Sequence, residues 1–99
     1  MNEIAVLVKR TYENAQWIEV HREVFCGVRS IGMKEFYAAS TTDFRPELKL
    51  VLADYLDYDD ETVVVYNGQR YRVLRTYRTG QALELTLERA PAEDGAADG

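Results

Sequence analysis

One histidine, one cysteine and a run of carboxylates are what this 99-residue chain offers to chemistry, and each lacks the neighbours it would need. His21 stands in WIEVHREVFCGVRS on the polar phase of an alternating run, with Glu19 and Glu23. A general base needs a nucleophile and an orienting group within reach, and the alternation points His21 at solvent instead. Cys26 alternates with Val24 and Val28, the pattern of a buried thiol acting as a small hydrophobe rather than a nucleophile. Neither serine sits in a G-x-S-x-G elbow, and no glycine loop has phosphate-binding spacing. Asp57, Asp59 and Glu61 match the first three ligand positions of a calcium loop, but Thr62 stands where the sharp turn needs glycine and Gly68 where the bidentate glutamate belongs. One cysteine and one histidine cannot complete the usual structural zinc sites. The expectation is a protein without catalytic residues, cofactor or metal.

What remains is a surface of tyrosines and arginines around YNGQRY, residues 66–71. Asn67 and Gly68 are the pair that best tolerates the two positive φ angles of a type I′ turn, so the stretch reads first as a hairpin. Arg70, Tyr71, Arg72, Arg75, Tyr77 and Arg78 could also form a platform for stacked bases and paired phosphates. Strict alternation divides them, with Tyr71, Val73, Arg75 and Tyr77 on one face and Arg70, Arg72, Leu74 and Thr76 on the other. Tyrosine and arginine are equally the side chains enriched at protein interfaces. The charge balance favours protein over nucleic acid, because the net charge is −5 and phosphate neutralisation supplies most non-specific affinity for a polyanion. That charge is uneven: DYLDYDDE, residues 54–61, holds five acids and no base, whereas residues 70–89 hold five arginines against two glutamates. Asp54, Asp57, Asp59 and Asp60 therefore face the arginine hairpin as a second candidate interface of opposite sign.

The elements that would position these patches are mostly strands. A composition of 46% apolar and 29% charged residues is ordinary for one folded domain. A lone cysteine excludes an intramolecular disulfide, and the apolar run at the start is too short for a signal segment. No stretch is long and apolar enough for a spanning helix, so synthesis in a reducing cytoplasm without a membrane anchor is expected. Leu83, Leu85 and Leu87 alternate with Glu84, Thr86 and Glu88 as a half-buried strand. With residues 62–66 and 71–77 they make a three-stranded meander. Ile18, Val20, Val24, Cys26 and Val28 share one phase of a long strand, in which Arg22 or Gly27 is expected to mark a bulge or bend. Residues 4–8 read as a first strand, followed by a polar loop around Tyr12 to Gln16, and ELKLVLADY reads as another strand. MKEFYAAS, residues 33–40, is the one helical piece. The expected fold is mainly β: a small antiparallel barrel of about six strands with one short helix, closure removing the edges. It spans residues 1–89, and the small, acidic residues 90–99 form a disordered tail.

Three segments in this order and spacing, REVFCGVRSIGMKEFYAA, RPELKLVLADY and VVVYNGQRYRVLRTYRTGQALELTLERA, resemble the head-closure proteins of long-tailed phages and prophages, the head–tail adaptor, joining or stopper family. The resemblance covers about two-thirds of the chain and rests on a style of strand, helix and hairpin rather than on an active-site motif. It implies a non-enzymatic β-barrel subunit of the virion, made in the bacterial host, that forms a ring with its own copies beneath the portal and connector. It further implies retention of packaged double-stranded DNA, which passes without specific recognition, and a surface on which tail or tail-terminator proteins dock. A loop after the helix, STTDFRP, would face the channel through Thr41, Thr42, Asp43, Phe44 and Arg45. The acidic and basic patches would then meet between copies or layers. A small nucleic-acid-binding barrel is the alternative, and an adaptor with a peptide groove a third.

Overall fold

A computed structural model describes residues 2–31 and 46–90. Six antiparallel strands close on themselves in the order β1-β2-β3-β6-β5-β4. They are β1 (Glu3–Glu13), β2 (Gln16–Arg29), β3 (Pro46–Leu52), β4 (Val63–Tyr66), β5 (Gln69–Thr79) and β6 (Ala82–Arg89). The mainly β barrel expected from alternation is the fold. The helix expected over residues 33–40, the channel loop of Thr41, Thr42, Asp43, Phe44 and Arg45, and all but the first residue of the tail lie outside the described residues.

Alternation builds the interior. Leu7, Leu50, Leu52, Leu85, Leu87, Val64 and Cys26 are fully buried, with Ala5, Val24, Tyr71 and Leu83 completing the cluster. They meet because the registers put like with like: Leu52 opposite Leu83, Leu50 opposite Leu85, Ala5 opposite Val24. Each buried leucine contributes about 2–3 kcal/mol by leaving water. Asn67 and Gly68 have φ of 53° and 79°, as the type I′ turn requires, and Gly80 at 60° opens the turn between β5 and β6.

The first hairpin differs from expectation. The polar loop expected around Tyr12 to Gln16 is a two-residue turn, Asn14 and Ala15, with both φ positive, and the strands run up to it on either side. The register from Glu3 opposite Cys26 to Glu13 opposite Gln16 is unbroken, and so is that of Cys26 to Arg29 with β3. Neither Arg22 nor Gly27 therefore carries a bulge. Bulges occur instead at Leu74 in β5 and at Glu47 in β3, where one residue is skipped in the pairing with β6. Ile18 and Val20, in phase with the core, are exposed, because β1 reaches β4 only over Ala5–Val8 and β2 reaches β3 only over Cys26–Arg29; Val28, paired with Leu50 at the end of β2, is exposed as well. Past those limits the hairpin continues as a two-stranded ribbon that pairs with no third strand among the described residues.

Candidate interaction surface

The acidic segment closes the barrel mouth from which the ribbon rises. After β3 the chain makes a single 3-10 turn, Tyr55–Asp57, capped by the Asp54 carboxylate, which accepts from the Leu56 amide at 2.9 Å. Arg22 continues the inward phase of Val24 and Cys26 past the end of the core, and its guanidinium donates to the Asp57 carbonyl at 2.5 Å and to Glu61 at 2.8 Å. Glu61 is buried, and its other carboxylate oxygen accepts from the Asp59 amide at 2.6 Å. The Tyr58 hydroxyl donates to the Glu61 carbonyl at 2.6 Å, and burial pushes its pKa up to about 12. Asp59 pairs with Lys9 at 2.9 Å; that hydrogen bond lowers the carboxyl pKa and raises the ammonium pKa. The acidic run is therefore not a fully solvated loop, since Glu61 is buried. The segment is a strap held by Arg22 and Lys9: the Asp59 carboxylate is engaged by Lys9, the Glu61 carboxylate by Arg22 and the Asp59 amide, and Asp57 contributes its backbone carbonyl.

Most basic candidates are also engaged within the chain. Arg72 donates to the buried Glu88 at 2.5 Å, and Arg70 lies 3.6 Å from Glu19. Arg78 donates to the Gly80 carbonyl at 2.9 Å and stacks over Tyr55 at 3.5 Å. Gln81 donates to Asp54 at 2.7 Å and its carbonyl accepts from the Tyr55 amide, also at 2.7 Å. One end of the arginine hairpin therefore touches the acidic strap inside one subunit.

The bulge at Leu74 overturns the expected division of β5 into faces. Tyr71 and Val73 point inward opposite Arg89 and Leu87, but beyond the bulge Thr76 and Arg78 share the side of Leu85 and Leu83. Arg75 and Tyr77 therefore lie on the outer side with Arg70 and Arg72. Tyr71 is a core residue, a correction to its place among the candidate interface groups. The remaining sequence candidates are on or near the surface: Tyr77 is 65% exposed, Asp57, Asp59 and Asp60 are exposed, and Asp54 is half-buried.

Four large apolar groups are exposed where the sequence reading puts a loop and a core strand, in addition to Phe25, Leu56 and Tyr77 elsewhere. Tyr12 and Trp17 are opposite each other near the ribbon tip, ring centroids 5.1 Å apart, with Arg10 over the indole at 5.4 Å. They are 61% and 63% exposed; on the other face of the ribbon stand Ile18 and Val20. The signal was present in RTYENAQWIE: Arg10 with Glu19 and Tyr12 with Trp17 are complementary pairs about an Asn-containing centre.

His21 is exposed and 3.0 Å from Glu19, whose pKa this hydrogen bond lowers. Cys26 is buried in the core, and burial raises its thiol pKa, which makes it a poor thiolate. A dent of about 150 Å³ lined by Arg29, Val51, Thr79, Ala82 and Glu84 is spanned by the Arg29–Glu84 ion pair. It is smaller than the roughly 300 Å³ at which small-molecule pockets begin. No helix among the described residues is long and apolar enough to cross a membrane. Compared with protein-family models and with curated proteins, the chain finds no match. The fold and site together define a closed six-stranded antiparallel barrel with a strapped mouth and a protruding aromatic ribbon.

Proposed function

We propose that this chain is a ring-forming head-closure subunit at the head–tail junction of a long-tailed phage or prophage, acting without catalysis. The reading is supported by the three-segment resemblance and, in the structure, by one observation above the rest: the ribbon extends past the strand pairing of the barrel and leaves Tyr12, Trp17, Ile18 and Val20 exposed. Copies of the chain, portal or connector proteins above and tail proteins below are its partners, and duplex DNA passes through without specific recognition. A net charge of −5 keeps that duplex from adhering to the wall, over a Debye length of about 8 Å. The test is gradient sedimentation with a portal ring. Co-migration is the expected result, and independent migration at every salt concentration overturns the reading. Deleting Thr41 to Asp43 should make filled heads leak DNA.

A specific observation favours a second reading, a nucleic-acid-binding barrel. The bulge in β5 gathers Arg70, Arg72, Arg75 and Tyr77 on one outer side. Against it, Arg70 and Arg72 already face Glu19 and Glu88. A DNA mobility shift that weakens steeply with salt would favour it over the first.

A further inference from the structure

The ribbon has two edges, and the register fixes which backbone groups lie along each. A two-residue turn joins Glu13 to Gln16 by the hydrogen bond between its flanking residues. Antiparallel alternation then turns the N–H and C=O of Glu13, Thr11 and Lys9 toward β2, and those of Arg10 and Tyr12 away from it. On β2 the same alternation turns Gln16, Ile18 and Val20 toward β1, and Trp17, Glu19, His21 and Glu23 outward. Beyond Val8 and before Cys26, neither edge pairs with another strand among the described residues.

These two edges match each other. Every outward-turned residue, Arg10 and Tyr12 on β1 and Trp17, Glu19, His21 and Glu23 on β2, carries its side chain on the same outer face of the ribbon, as antiparallel pairing demands. Charges and aromatics correspond as well, since Arg10 opposite Glu19 and Tyr12 opposite Trp17 is the pairing already made inside the chain. The β5 edge at Thr76 and Arg78 lacks this match, because its outward-turned residues carry inner-face side chains. An isolated two-stranded ribbon is marginal in water, and open edges recruit strands.

Resting on the ring reading above, we infer that the partner of the ribbon is a second copy of this chain: the β1 edge at Arg10–Tyr12 of one subunit pairs antiparallel with the β2 edge at Trp17–Glu23 of the next. The contact is head-to-tail. It uses one edge of each kind per subunit, so a closed ring leaves neither ribbon edge open, whereas an unrelated partner on one edge would leave the other exposed. Paired in this way, the ribbons form one continuous sheet around the ring.

The test uses the full chain in its assembled form. Tyr12→Pro removes an N–H that no strand among the described residues uses, a place where an edge strand tolerates proline. A second variant replaces residues 10–19 by Asn-Gly, shortening the ribbon and leaving every core residue in place. Both are expected to keep the far-ultraviolet spectrum of a β fold and to abolish rings in electron micrographs and native mass spectra. In wild-type rings the amides of Arg10, Tyr12, Glu19 and His21 should exchange about a hundredfold more slowly than in the monomer. Rings that persist with the shortened ribbon, or exchange unchanged at those amides, overturn the ribbon contact and leave the ring reading intact. A wild-type chain that never associates with itself overturns both.

Discussion

Ala15 is the residue most at odds with its backbone. Its φ of 63° falls in the left-handed region, which costs a residue with a Cβ about 1 kcal/mol relative to glycine. Ala15→Gly should therefore raise stability by about 0.5–1 kcal/mol in chemical denaturation. Unchanged or lower stability would mean the turn is not of this type. Gly68 presents the reverse case: its φ is 79° and a Cβ there would meet nothing within 4 Å, so any cost of Gly68→Ala is conformational alone. Tyr58 supplies a pH dependence. Its folded pKa, about 12, lies above the ordinary tyrosine value of 10.0, so the folded state holds the proton more tightly. That contribution is complete below about pH 10 and disappears as pH rises from there toward 12. Lys9 and Tyr66, also raised, add to the alkaline loss. Melting temperature should fall less steeply between pH 10 and 12 in Tyr58→Phe than in the wild type, and parallel slopes would remove Tyr58 from the account.

At the scale of elements, Arg22 decides whether the strap stays down. Arg22→Met leaves the buried Glu61 carboxylate without its cation, and since the arginine is partly exposed the loss should be about 2 kcal/mol. Adding Glu61→Gln removes the stranded charge while keeping an acceptor for the Asp59 amide, so the double variant should regain part of that loss. A double variant that is simply the sum of two losses would show that the two side chains do not act together. The residue that fixes the strap is the same one whose position in an apolar phase marked a break to sequence reading. Alternation correctly gave the strands from β3 to β6, because each has one face on the core and the pattern reports that contact directly. It misled in β1 and β2, where Ile18 and Val20 keep the phase of Val24 and Cys26 after the barrel wall has ended. Period two records which side a residue faces, not whether another layer lies there. The bulge at Leu74 is equally invisible: an extra residue in β5 shows only against its partner β6, so strict alternation puts Arg75 and Tyr77 on the wrong side. The opposite signs of the strap and the arginine hairpin were legible, but not that Lys9 and Arg22 already hold the strap.

For the whole molecule the question is what an acidic barrel does with its arginines. Arg70 faces Glu19 and Arg72 faces Glu88, so two of the four arginines in the β5 segment are held by carboxylates of the same chain. A phosphate would have to displace those carboxylates and approach a net charge of −5. If the chain lines a passage rather than grips its contents, wild-type protein should show no DNA mobility shift at physiological salt. Glu19→Gln together with Glu88→Gln leaves the fold's strand pairing intact, removes two negative charges, and moves the formal charge from −5 to −3. It also frees both guanidiniums on the outer side that Arg75 and Tyr77 share. That variant should gain a shift at low salt whose affinity falls with log salt concentration by a slope of about 2, one unit for each released arginine. A wild-type chain that already binds with an equal or steeper slope would mean the intrachain pairs give way to phosphate. The arginine side of β5 would then be a nucleic-acid surface, and the barrel a DNA-binding protein rather than a wall around a passing duplex.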